Sequence, residues 1–175
     1  KKRFYFTVAR YFRHFASRVL KRWNPRIIAI TGSAGKTTML NLVENEIGKK
    51  AHFSHDANSA FGIPFDLLGL GGVRGSKAKW IYLVIAAPFK AIFKRRHEKY
   101  YVVEIDGERP HETEFLATWL KPEITIWVSI GKSHALQFEK EVKNGRFKSV
   151  EDAIVAEFAS LPKNTNASFY DEIPA

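Results

Sequence analysis

Seven consecutive residues carry most of the chemistry legible in this chain: Gly32-Ser33-Ala34-Gly35-Lys36-Thr37-Thr38. A short apolar run, Arg26-Ile27-Ile28-Ala29-Ile30, precedes them. Met39, Leu42, Val43 and Ile47 come after them at helical spacing, and Gly48 is placed to end that helix. The order is strand, glycine turn, helix. Such a turn aims successive backbone N–H groups at one point, and the helix N-terminus adds partial positive charge there. Gly32 and Gly35 permit close backbone approach. Lys36 has the reach and charge to meet β- and γ-phosphate oxygens, and the Thr37 hydroxyl is suited to Mg²⁺. The general motif places a glycine five positions before Gly35; Ile30 stands there, so the match is to the shorter G-x-x-G-K-T-T form. The segment predicts binding of nucleotide phosphate. The plain alternative is an ordinary strand–helix turn with an incidental lysine.

Two further groups fall where strand ends would converge on that loop. Glu104 closes the strand candidate 101–105, with Asp106 and Glu108 close behind, and His134 comes after the Ile130-Gly131 strand end. In a parallel sheet the carboxyl ends of the strands line the ligand crevice. A carboxylate and an imidazole beside a triphosphate suggest Mg²⁺ ligation. Each also has a structural reading: Glu104 as a helix cap or ion-pair member, His134 as a satisfied polar residue.

The elements that must position these groups can be read from hydrophobic spacing. Phe4, Val8, Tyr11, Phe12, Phe15, Val19 and Trp23 recur at helical spacing with Arg and Lys between them, and Asn24-Pro25 stops the pattern. Residues 51–76 are rich in loop signals. Residues 80–85 fit strand or helix, and Pro88 interrupts the apolar run beyond them. Residues 112–120 read as a helix ended before Lys121-Pro122, and 124–130 as a strand. Residues 149–161 read as a helix with Ser149 as N-cap and Asp152 three residues on. Strands alternating with helices predict an α/β fold: a P-loop NTPase-like, mainly parallel sheet flanked by helices, entered through a basic amphipathic N-terminal helix. The expected division is 1–24 for that helix and 25–175 for the nucleotide-binding domain.

Composition sets the outer limits. The chain has 175 residues, 45% of them apolar, with 14 Phe, 6 Tyr and 4 Trp, which is enough for one domain with a real core. It has no cysteine, which excludes disulfides and Cys-based metal or redox sites. No stretch reaches the roughly 18 apolar residues of a membrane span. The net charge of +10 is uneven: residues 1–43 hold no acid, and Lys90, Lys94, Arg95, Arg96 and Lys99 form a second basic run. Such a field attracts nucleotides, nucleic acid or an anionic membrane face. The N-terminal helix is read first as packed on the domain and second as lying on a membrane surface.

The motifs and their order resemble the central domain of the Mur ligases over roughly residues 26–140. Gly32 to Thr38 is similar to that family's ATP loop. Asn58, Gly62 and Pro64 sit where the family has an Asn followed by Gly-x-Pro. Tyr101 to Thr113, with Glu104, Arg109 and Pro110, resembles the stretch holding its metal-binding Glu. Lys121-Pro122-Glu123-Ile124, then Ile130-Gly131, His134 and Phe138, resembles its Lys-Pro-Asp-Ile strand and Gly-x-x-His turn. Within the family the most similar type adds D-alanyl-D-alanine to a UDP-muramoyl tripeptide. The resemblance implies ATP-dependent amide-bond formation through an acyl phosphate, in the cytoplasm, with ATP and Mg²⁺. Its partners would be a UDP-muramoyl-peptide-like acceptor and an amino acid or dipeptide. It also implies that Lys36, Glu104 and His134 serve catalysis. Gly32, Ser33, Ala34, Gly35, Lys36, Thr37, Thr38 and Asn58 would bind ATP, and Thr37, Glu104 and His134 would hold metal.

The departures are specific. Ser129 stands where the family often has Asn, Ala135-Leu136 where it has Leu-Glu, and Asp106 and His111 where it has glycines. The lysine that most members modify to a carbamate has no counterpart in 153–158, so a second metal would need Glu157 or another acid in its place. The resemblance also implies that the central domain is incomplete here and the family's C-terminal domain absent, so that this chain by itself would not complete ligation. Two other readings compete. One is a P-loop ATPase or kinase of another family. The other is a basic module that binds nucleic acid or an anionic membrane and keeps the loop as a relic; against it, residues 1–22 alternate bulky apolar and basic positions as a packing helix does, and Lys36-Thr37 remain intact. Beside the ligase reading, weak contact with an anionic membrane is the further partner considered, and nucleic acid is not expected.

Overall fold

The computed structural model describes residues 2–55, 57–71, 77–107, 109–129 and 135–170. Its strands are β1 (Arg26–Thr31), β2 (Ala51–Phe53), β3 (Tyr100–Glu104), β4 (Ile124–Trp127) and β5 (Ala167–Tyr170). Its helices are α1 (Lys2–Trp23), α2 (Lys36–Ile47), α3 (Gly62–Leu68), α4 (Lys77–Phe93), α5 (Glu112–Leu120), α6 (Ala135–Lys143), α7 (Val150–Phe158) and α8 (Ser160–Lys163). The sheet order is β2-β3-β1-β4-β5 and every pairing is parallel. β1 lies between β3 and β4, with Ile30 in register with Glu104 on one side and with Ile126 on the other. The chain leaves β1 toward one edge and later returns past it to β4. The end of β1 is therefore a switch point, where an open α/β sheet offers its crevice.

Both faces of the sheet are covered, as a parallel sheet requires. Ile27 and Ala29 of β1 and Tyr101 and Val103 of β3 face one core with α1, α3, α4 and α5. The intervening Ile28, Ile30 and Val102 face a second core with Leu40, Met39 and Val43 of α2. A third cluster, Trp127, Phe138, Ala153, Ile154 and Phe158, lies under α6 and α7.

The N-terminal helix packs on the domain. Ala9, Phe12, Ala16 and Val19 are at most 1% exposed, and Asn24, at φ 51°, ends the helix where expected. The stripe read from sequence as available to a membrane is thus largely spent on the core, although Phe4 at its start is exposed.

Three expectations are corrected and one open reading is resolved. The loop-rich stretch 51–76 contains β2 and α3; Pro64 is the third residue of α3, where its missing N–H is not needed. The ambiguous 80–85 is helix, part of α4, and Pro88 lies inside it. Proline removes the bond to the carbonyl four residues earlier, Val84 O, and the Tyr11 hydroxyl of α1 donates to that carbonyl at 2.8 Å. The strand at 124–130 is regular only over Ile124–Trp127, beyond which Val128 N still donates to Thr31 O and Ser129 O accepts from Ser33 N, and the helix at 149–161 divides into α7 and α8. Ser149 does cap α7, accepting from Asp152 N. α6 and β5 add two elements that hydrophobic spacing does not predict.

Candidate functional site

The glycine loop sits at the end of β1, pressed against the end of β4. Gly32 has φ 138° and Gly35 has φ 81°, backbone that side-chain-bearing residues rarely adopt. A Cβ on Gly32 would lie 2.8 Å from Ser129 N and 2.9 Å from Ser129 O; one on Gly35 would lie 3.0 Å from a Val128 methyl. Two independent reasons thus demand glycine at position 32.

Ser129 shapes the loop from the other side. Its backbone oxygen accepts from Ser33 N at 3.0 Å. Its hydroxyl accepts from Ala34 N at 2.9 Å and donates to Ala34 O at 2.8 Å. The serine seen in sequence only as a departure is therefore a brace for the loop. Nothing in its residue type announced that; only the pairing of β4 beside β1 reveals it.

Lys36 and Thr37 open α2. Lys36 is 8% exposed, and its ammonium donates to Gly32 O at 2.7 Å across the loop. It also stands 3.5 Å from an Asp106 carboxylate oxygen. The Thr37 hydroxyl donates to Glu104 Oε2 at 3.0 Å. Glu104 is the last residue of β3 and is 8% exposed; its backbone N–H donates to the Ser54 hydroxyl, which fixes the strand end. Thr31 Oγ1 donates to Ile105 O, and Ile105 N to Ile30 O, so the ends of β1 and β3 are tied together. The structure thus brings Gly32 to Thr38, Glu104 and Asp106 into one place.

Asn58 lies on the same rim. Its backbone oxygen accepts from Asp106 N at 2.9 Å. The loop that carries it is held by Glu112, whose carboxylate accepts from Ala60 N at 2.9 Å and from the Tyr5 hydroxyl at 2.8 Å. α1 therefore helps place the loop beside the site. Glu108 and His134 lie outside the described residues.

The donor set suits a hard divalent cation. Mg²⁺ takes oxygen ligands at about 2.1 Å in an octahedron, which sets neighbouring ligand oxygens about 3.0 Å apart. The Thr37 hydroxyl and Glu104 Oε2 have that separation. Among the described residues no group of three or more His, Cys, Asp or Glu gathers to hold a metal. A cation at Thr37 and Glu104 would take its remaining ligands from phosphate and water, as Mg²⁺ commonly does.

Glu157, one of the acids considered for a second metal, is engaged with the backbone of α5. It is 8% exposed and accepts from His111 N and Thr113 N, each at 2.7 Å. His111 is the N-cap residue of α5, in a left-handed conformation and without a capping side-chain bond of its own. Glu157 therefore caps α5 from α7, a favourable place for a carboxylate. Burial raises its pKa above the ordinary value, against the lowering effect of those two backbone donors. It also lines a cavity of about 280 Å³ with His111, Phe138, Glu141, Phe147 and Lys163, apart from the residues that form the phosphate loop.

No protein-family model matches the chain. Solved structures do resemble it. A UDP-N-acetylmuramoylalanyl-D-glutamyl-2,6-diaminopimelate–D-alanyl-D-alanyl ligase from Acinetobacter baumannii superposes with a TM-score of 0.54 at 17% identity, over 88% of this chain and 27% of that one. Two crystal structures of MurF from the same organism give TM-scores of 0.53 at 18% identity. They cover 90% and 86% of this chain, and 34% and 26% of theirs. The likeness establishes a shared fold, and the chain spans about a quarter to a third of the length of those proteins.

Proposed function

We propose that this chain is the nucleotide-binding part of a Mur-type ligase, which uses ATP to join an amine to a peptide carboxylate in peptidoglycan precursor synthesis. One observation carries the reading: Lys36, Thr37 and Glu104 meet at the switch point of the sheet, in a fold shared with MurF. By analogy with the substrates in the neighbours' name, the acceptor would be a UDP-muramoyl tripeptide and the amine D-alanyl-D-alanine, in the cytoplasm.

In that reaction an acceptor carboxylate oxygen attacks the γ-phosphorus. The bond from that phosphorus to the β–γ bridging oxygen breaks, releasing ADP and leaving an acyl phosphate. The amine nitrogen then attacks the acyl carbon and loses a proton. The bond from that carbon to the phosphate oxygen breaks, giving amide and inorganic phosphate. Mg²⁺, held by Thr37 and Glu104, would supply charge neutralisation at the transferring phosphoryl group. The chain's own work is positional and electrostatic. The loop amides cradle the phosphates, and Lys36 exchanges its contact with Gly32 O for phosphate oxygens. Ser129 keeps Ala34 in place. Asn58 would approach the phosphates from the rim, and His134 would assist a second cation.

Trapping the intermediate tests this reading. The chain is incubated with Mg-ATP, a UDP-muramoyl tripeptide and hydroxylamine. A hydroxamate of the tripeptide that requires ATP and disappears in Lys36→Ala is expected. Phosphate release with no hydroxamate would instead indicate a nucleotide hydrolase of another kind.

A further inference from the structure

α1 and α4 form a layer with no carboxylate of its own: residues 1–43 and 67–97 contain neither Asp nor Glu. α4 is apolar on both sides. Leu83, Ala86, Ala87 and Ala91 are buried in the core shared with α1 and α3. On the opposite side Ile81, Tyr82, Ile85, Phe89, Ile92 and Phe93 are 52% to 75% exposed. Their spacing places them on one stripe along the helix. Single exposed apolar residues are ordinary, but a continuous stripe of large ones marks a contact surface.

The stripe is held on a fixed support. Tyr11 Oη donates to Val84 O, and Arg22 Nη2 donates to Ala91 O and Lys94 O, each at 2.8 Å. Those last two bonds place a guanidinium at the α4 C-terminus, where the helix dipole favours it. Lys90 and Arg95 beside the stripe, and Arg10, Arg18 and Lys21 on α1, are exposed. Among the described residues no helix is long and apolar enough to cross a membrane.

We propose that the α4 face seats on an anionic lipid surface. The stripe would lie at the boundary of headgroups and acyl chains, and the neighbouring cations would meet lipid phosphates. Charge complementarity selects this occupant. A second copy docking through the same face would set cations against cations. An anionic bilayer supplies both an apolar depth for Phe89 and Phe93 and negative charge for the flanking Lys and Arg. α1, read second as a helix on a membrane surface, has instead spent its apolar stripe on the core, so the face left for a membrane is that of α4. The proposal is independent of the nucleotide chemistry.

Flotation with lipid vesicles tests it. The chain should float with vesicles of phosphatidylglycerol and phosphatidylcholine, and bind at least tenfold more weakly to phosphatidylcholine alone. Phe89→Asp should lower binding to the mixed vesicles at least tenfold. Val155→Asp, an equal charge change at a partly exposed apolar position on α7, should leave it within twofold. Phe93→Asp, at 75% exposure, repeats the test where Phe89→Asp folds poorly. Absence of flotation with the mixed vesicles overturns the proposal, as does equal binding by the Phe89 and Val155 variants. A wild-type dimer that Phe89→Asp converts to monomer, without vesicle binding, would assign the face to a second copy instead.

Discussion

The Thr37 hydroxyl at the start of α2 donates to Glu104 Oε2 at the end of β3, across 3.0 Å and 67 positions of sequence. That contact joins the phosphate loop to the carboxylate that ends β3, and it has the spacing of adjacent ligands on one Mg²⁺. If the pair holds the cation, Thr37→Val should weaken Mg-ATP binding at least tenfold, about 1.4 kcal/mol. Binding of ATP in excess EDTA should change little. Equal loss with and without Mg²⁺, measured by calorimetry, would assign Thr37 to the loop's structure alone.

The loop's shape rests on Gly32. Gly32→Ala adds a Cβ within 2.9 Å of two Ser129 backbone atoms at a φ of 138°. Overpacking and backbone strain each cost about 1–3 kcal/mol. The variant should lose nucleotide binding and unfold several degrees earlier. Ser129→Ala should be milder: it leaves Ala34 N and O without the hydroxyl they share, about 1 kcal/mol for a partly exposed pair. Thermal denaturation of both variants decides it. A Gly32→Ala protein as stable as wild type would mean the loop is not held as described.

Glu157 gives a pH signature. Burial raises its folded pKa above 4.5, so over the interval between those values the folded chain holds a proton that the unfolded chain has released. Its contribution to stability is complete below pH 4.5 and lost as pH rises through the raised value. Wild type should therefore lose stability relative to Glu157→Gln as pH climbs from about 4.5. Glu157→Ala should be destabilised at every pH, by about 1–3 kcal/mol, because His111 N and Thr113 N lose their acceptor. Denaturant titrations across that interval measure both effects. A Glu157→Gln curve parallel to wild type would contradict them.

The parts of the fold that were legible in sequence are those where the signal is local. Gly32 to Thr38 reads as a strand–turn–helix because the glycines, the apolar run before and the helical stripe after all point the same way. The N-terminal helix, β3 and α5 were legible from spacing. α4 was not, because it is apolar on both sides: its buried and exposed residues together erase the period that separates helix from strand. α3 was hidden by Gly62 and Pro64, two loop signals that a first helical turn also tolerates. The contacts of Ser129 with Ala34 and of Asp106 with Lys36 depend on strands adjacent in space and distant in sequence, so no local pattern carries them. Glu157 was considered for the wrong task. Its partners are backbone N–H groups of another helix, which residue type cannot announce.

The most direct test of the central claim is a calorimetric titration of Mg-ATP into wild type and Lys36→Ala. The Lys36 ammonium is buried beside Gly32 O at the point where the loop amides converge. If that point receives the phosphates, removing the charge should weaken binding at least tenfold, about 1.4 kcal/mol. Equal affinity in the two proteins would contradict the assignment of the loop to nucleotide, and with it the ligase reading.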